Sequence, residues 1–144
     1  GYSNTGLAAN TTYYCRVYAY NGAGSSAYSN TASATTLSGP PKMHVSSIAL
    51  SYTVVRSKYK VTGLVTIVDA HNQPVGSATV AAKWTYPPNK TKTASAATNS
   101  SGVATFTIQA GAGSYSLCVT NVTKTGYEYD PASNVVTCAS RTVP

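Results

Sequence analysis

Acidic side chains are almost missing from this 144-residue sequence: Asp69, Glu128 and Asp130 are all it has. Hydrolysis by a carboxylate pair needs two acids set across a cleft. These three sit in the turn-rich stretches DAHNQP and YEYDP, where they read as turn residues. Histidine is as sparse. His44, beside Met43 at a strand start, and His71, two residues after Asp69, have no third group near them to complete a metal site or a catalytic set. There is no GxSxG elbow and no CxxC pair. Catalytic residues, a metal and a cofactor are therefore not expected. Charged residues make up only 9% of the chain, and no segment has a convincing helical pattern. No apolar run approaches the roughly 20 residues of a membrane span. Nor does a basic-then-apolar leader stand at Gly1, so an exported protein would be present here in processed form.

What remains is rich in Ser, Thr, Ala, Gly, Val and Tyr, a composition of short strands and turns. The length suffices for one ordinary core plus a smaller appended piece. Ten basic residues leave a net charge of +7. Most are scattered, but Arg56, Lys58 and Lys60 are spaced for one face of a strand. Such a stripe is either a solvated surface or a grip for phosphates or an anionic polysaccharide; nucleic acid is not the expected partner. Of the three cysteines, Cys118 and Cys138 lie in successive apolar segments, LCVTNV and NVVTCAS, which neighbouring strands can bring within bonding reach. That pairing suits an oxidising, extracellular or cell-surface setting. Cys15 is left over, as a buried thiol or an intermolecular bridge. The sequons at Asn10, Asn89, Asn99 and Asn121 are unsurprising in such a composition and are assigned no role.

The stretch SGPPK divides the chain, because two prolines and a glycine oppose both helix and ladder. The expected organisation is a hairpin over 1–37, a linker over 38–42 and a β-sandwich over 43–144. In the last region alternating segments fall near 43–51, 59–69, 77–86, 90–97, 102–109, 114–122 and 134–143. DAHNQPVG, YPPN, NSSG, GAGS and YDPASN punctuate them with turn residues. Seven short strands at this spacing predict an all-β sandwich. In VTGLVTIVD the inward set is Val61, Leu64 or Val65, and Ile67, with the phase ambiguous around Gly63, a candidate bulge.

MHVSSIAL, VTIVDAHNQPVGSATVAAKW, TNSSGVATFTI and CVTNVTKTGYEYDPASN together resemble a bacterial immunoglobulin-like domain of secreted peptidases and other exported hydrolases. The likeness covers nearly all of residues 43–144 and implies an immunoglobulin-like sandwich serving as an accessory, non-catalytic module. The opening TGLAANTTYYCRVYAYNGAGSSAYSNTASATTL resembles the end of a fibronectin type III domain, with Leu7, Thr11 and Tyr13 in the tyrosine-corner pattern and NGAGSS as the turn between its last two strands.

Alternation places Tyr13, Cys15, Val17 and Ala19 on the face that a complete domain would bury, and Tyr14, Arg16, Tyr18 and Tyr20 on the other. Within these 37 residues nothing covers either face. A lone hairpin is marginal in water, whereas each Val or aromatic that finds cover contributes roughly 1.5–3 kcal/mol. Three completions compete: folding back on the sandwich, a domain cut short, or addition of strands to a neighbouring copy. The last satisfies backbone edges and the apolar face together. The expectation is therefore a structural assembly module whose interface is Tyr13, Cys15, Val17 and Ala19 and whose partner is another copy of itself, propagating as a filament if the contact is heterologous. The alternative is an accessory module binding a polysaccharide or a cell surface through Tyr14, Tyr18 and Tyr20, with Trp84 and Tyr86 as a second aromatic pair.

Overall fold

The alternation of small apolar and polar side chains turns most of the chain into strand. A computed structural model describes residues 3–144; Gly1 and Tyr2, the first two of the segment assigned to 1–37, lie outside the described residues. The chain divides into two compact units, one ending at Gly39 and the other spanning Pro40–Pro144.

The first unit is a hairpin in four pieces. β1 (Thr12–Cys15) pairs antiparallel with β4 (Ala32–Thr35), and β2 (Tyr20–Asn21) with β3 (Gly24–Ser25) across the Gly22-Ala23 turn. Between the pairs the second strand carries extra residues, since Cys15 faces Ala32 while Val17 bonds Ser29 and Ala19 bonds Ser26. The ladder survives these two bulges because serine side chains enter it. The Ser29 and Ser26 N–H groups donate to the carbonyls of Val17 and Ala19 (both 2.8 Å), and their hydroxyls accept from the N–H groups of the same residues (3.0 and 2.9 Å).

The second unit is an all-β sandwich of two four-stranded sheets, ordered β12-β10-β7-β8 and β11-β5-β6-β9. One sheet contains β5 (Lys42–Val55), β6 (Lys58–Asp69), β9 (Val103–Ala110) and the short β11 (Glu128–Tyr129), which runs parallel to β5. The other contains β7 (Thr79–Tyr86), β8 (Lys90–Ala97), β10 (Gly113–Thr123) and β12 (Cys138–Val143). A 3-10 turn, Pro131–Ser133, lies between β11 and β12. Inner faces supply the core: Met43, Val45, Val61, Val65, Ile67, Val80, Trp84, Phe106, Tyr115 and Leu117 are all buried. Cys118 and Cys138 are register partners in β10 and β12 and form a disulfide.

Several local expectations change. No bulge occurs at Gly63: β6 pairs regularly there with Leu50 and Phe106. Val65 rather than Leu64 points inward, and Gly63 shares that phase because a Cβ there would come within 2.5 Å of Leu117 Cδ2 and 3.4 Å of the Trp84 ring. The bulges lie in β5, between Val45 and Ser47, and in β10, between Val119 and Asn121. At the first, the Asn134 side chain accepts from Val45 N–H at 2.8 Å, and Val135 N–H donates to the Val45 carbonyl at 2.9 Å. This docking occupies part of 134–143, so the last strand begins only at Cys138. Trp84 is a core residue, 1% exposed, and offers no binding surface. Arg56 lies in the two-residue turn between β5 and β6, not on a strand face. The sandwich also starts before Met43, as Pro41 carbonyl accepts from Glu128 N–H at 3.0 Å and Lys42 pairs with Glu128.

Two turns share one design. Asp69 Oδ1 accepts from the N–H groups of His71 and Gln73 (2.8 and 2.9 Å), and Asn99 Oδ1 accepts from those of Ser101 and Val103 (both 3.0 Å). Each turn closes with a left-handed residue in its fourth position, Asn72 in one and Gly102 in the other. A side chain that satisfies its own turn in this way explains why Asp or Asn opens both segments.

Candidate functional site

The hairpin unit differs from the sandwich in having no buried residue among its described positions. Its fold is local and polar. Ala8 N–H donates to Tyr13 Oη at 2.9 Å, the Thr36 hydroxyl donates to Ala8 carbonyl at 2.6 Å, and Thr12 and Thr35 hydroxyls meet at 2.8 Å. These bonds set the register of the strands, but each contributes only about 1 kcal/mol net, so they stabilise the unit weakly in the absence of a core.

One face of β1–β4 is apolar and open. Leu7, Tyr13, Cys15, Ala32 and Ala34 line a shallow groove of about 250 Å³. Val17 and Ala19 do not line it. Val17 is 71% exposed, and Ala19 borders a separate hollow near the turn with Tyr20, Asn21, Gly24 and Ser26. The four residues read as one interface thus divide into a groove pair and an outer pair. Leu7, Ala32 and Ala34 join the groove. Ala32 and Ala34 follow from alternation in the second strand once its partner is known, but alanines give too weak an apolar signal to announce a face. The Cys15 thiol is free and exposed.

The opposite face carries the aromatic side chains. Tyr18 packs against Tyr20 (ring centroids 6.3 Å) and edge-on against Tyr28 (5.2 Å), and the Arg16 guanidinium lies 3.9 Å above the Tyr28 ring. Tyr14, 73% exposed, stands apart from this cluster. Tyr28 belongs to it and was not singled out by sequence pattern, because the serine bulges shift the phase of the second strand before and after it. Arg16 is also the one charged residue between Ser3 and Gly39, and that stretch contains no proline. Its strand edges therefore lack the lysines, glutamates and prolines that commonly blunt exposed edges.

Two of the three acids of the sandwich, Asp69 and Asp130, are committed to its own backbone and side chains. Hydrogen bonds from Gln73 N–H, then His71 N–H, hold the Asp69 carboxyl below its ordinary range, against some desolvation. Asp130 is lowered chiefly by the Ser133 hydroxyl at 2.9 Å and further by Lys42 Nζ at 3.4 Å. Glu128 is exposed on β11. Tyr115 is buried, which pushes its phenol up, and its hydroxyl donates to Gly111 carbonyl at 2.7 Å. In a hollow of about 510 Å³ in the sandwich, Lys124 Nζ is tied to Gly76 carbonyl at 2.8 Å and rests 4.6 Å from the Tyr127 ring. None of these groups faces another across a cleft in an acid–base arrangement. No known family model, characterised protein or solved structure matches the chain.

Proposed function

We propose that the protein is a non-catalytic, extracellular structural module that self-associates through its hairpin unit by strand addition. The observation carrying this reading is the open groove of Leu7, Tyr13, Cys15, Ala32 and Ala34 on a sheet of only two strands with uncharged edges. Such a sheet offers an incoming strand unpaired backbone groups and an apolar surface at once, and a nearly neutral stretch puts no like charges between identical copies. The immunoglobulin-like and fibronectin-like resemblances fit a module of this kind, and the Cys118–Cys138 disulfide suits an oxidising location. If the contact is heterologous it extends into a filament.

Sedimentation velocity over a range of concentrations, with negative-stain imaging, tests the reading. Wild-type chain is expected to form concentration-dependent oligomers. Ala34→Asp, which puts a charge into the groove, should abolish them while Trp84 fluorescence stays native, and Val17→Asp should weaken them. Deleting residues 1–37 should leave a folded monomer. A wild-type chain that stays monomeric at high concentration refutes self-association.

A second reading rests on the Tyr18–Tyr20–Tyr28 cluster, whose exposed rings could stack on sugars in an accessory carbohydrate- or surface-binding module. Binding of neutral polysaccharide by wild type, lost in Tyr18→Ala, would support it over self-association.

A further inference from the structure

The charges of the sandwich separate along its strands. Asp69 faces Met43, Glu128 faces Lys42, and Asp130 bonds Lys42, so all three carboxylates lie at one end of β5 and β6. At the other end the β5–β6 turn holds Arg56, β6 opens with Lys58 and Lys60, and β8 opens with Lys90 and Lys92. Lys60 and Asp69 are nine residues apart on β6, about 30 Å at the usual strand rise. The one ion pair among the described residues is Lys42–Asp130, at the acidic end. The five cations at the far end therefore have no carboxylate partner.

Two of these cations, Lys60 and Lys92, line a hollow. Between β8 and β9, the edge strands of the two sheets, the sandwich opens into a space of about 270 Å³ lined by Lys60, Lys92, Tyr86, Thr107, Ile108 and Gln109. Two ammonium groups, an amide, a hydroxyl and a half-buried phenol ring converge there over an apolar floor at Ile108. Arg56 takes φ +56° in the two-residue β5–β6 turn, a conformation such tight hairpin turns require and one that Asn10, Asn72, Ser77 and Asn89 also adopt in this chain.

We propose that this end of the sandwich binds an acidic polysaccharide of uronate type. Lys60 and Lys92 take the carboxylate of one sugar, while Thr107 and Gln109 exchange hydrogen bonds with its hydroxyls. Arg56, Lys58 and Lys90 meet the carboxylates of neighbouring sugars. At about 270 Å³ the hollow falls just below the usual range of ligand pockets and suits no more than a single ring. Charge alone would equally suit nucleic acid, but stacking on bases needs a row of exposed aromatic faces, and the hollow has only the half-buried Tyr86. The site lies wholly in the sandwich, so hairpin variants leave it intact and its failure says nothing of self-association.

Calorimetric titration of the full chain with soluble polygalacturonate, at low and moderate salt, tests the proposal. Wild type should bind, and fully methyl-esterified polymer, which has lost its charge, should not. Lys60→Gln/Lys92→Gln should weaken binding by about tenfold or more and flatten its salt dependence. The control pair Lys42→Gln/Lys83→Gln, with the same change in net charge, should bind nearly as wild type. Gln109→Leu should weaken binding with no change in charge and no change in thermal midpoint. Equal loss in the two lysine pairs, undiminished binding of the esterified polymer, or no binding to polygalacturonate would each overturn the proposal. Tighter binding to single-stranded DNA would replace the acidic sugar with a nucleic acid and overturn it too.

Discussion

Replacing Gly102 by alanine tests how the twin turns hold the sandwich together. Gly102 has φ +73°, and its carbonyl accepts from Ile67 N–H at 2.8 Å while Ile67 carbonyl accepts from Val75 N–H at 3.0 Å. A Cβ at Gly102 would stand 2.5 Å from that Ile67 oxygen and 3.0 Å from Val75 nitrogen. The left-handed backbone alone costs an L-residue about 1–2 kcal/mol, and disturbing the two hydrogen bonds adds about 1 kcal/mol for each one lost. Gly102→Ala should therefore destabilise by about 2–4 kcal/mol, a large part of the about 5–15 kcal/mol typical of a domain. Gly126 is an internal control: its φ is +78°, yet nothing lies within 4 Å of its notional Cβ. Gly126→Ala should cost only the backbone part. The assay is urea unfolding followed by the fluorescence of Trp84, the sole tryptophan and 1% exposed. It reports on the sandwich whatever the hairpin does. Equal losses for the two substitutions would show that the close approach to Ile67 carries no energy and would refute the reasoning.

Reducing the Cys118–Cys138 disulfide, which spans 20 residues of sequence, should lower unfolding stability by about 3 kcal/mol; paired urea titrations with and without reductant measure it. Asp69 and Asp130 both have carboxyls held below the ordinary 3.8. A depressed folded-state value gives stability that is present above the unfolded value and lost as pH falls through the folded one. Stability should therefore decline below about pH 4, and Asp69→Asn should shrink that decline while keeping the turn, because asparagine already performs this role at position 99. Thermal midpoints from pH 2 to 7 decide it; a wild-type decline that Asp69→Asn leaves unchanged would remove Asp69 from the account.

Strand placement was legible because alternation is a local property. Turn residues at DAHNQP, NSSG and YPPN fall between strands as their chemistry requires, and the two late cysteines meet because their segments pair. Side-chain direction was legible only where no bulge intervened. Along β1 the phase runs cleanly, but the opposing strand shifts twice at Ser29 and Ser26, so Tyr28 reaches Tyr18 by a route that no period of two predicts. The phase at Gly63 was unreadable because a residue without a side chain does not declare its face; its neighbours Trp84 and Leu117 settle it. The same burial removes Trp84 from any binding surface. Charge separation was hidden for another reason. Lys60 and Lys92 are far apart in sequence and share a hollow only because β8 and β9 are edges of facing sheets.

The direction in which the chain crosses the sandwich has a mechanical consequence. β5 starts at the acidic end, and β12 finishes at the basic end beside Gly113. Tension applied along the polypeptide would therefore pull β5 lengthwise past β6. Hydrogen bonds in such a ladder stand perpendicular to the strands, so the twelve register pairs of β5 and β6 bear the load together instead of parting one after another. At the other terminus force would leave the peptide chain at Cys138 and pass through the disulfide to Cys118. The 20-residue span between them, about 70 Å of contour if extended, cannot pay out. A unit loaded in this way resists stretching until β5 slips as a whole, then yields by a length that the disulfide has shortened in advance.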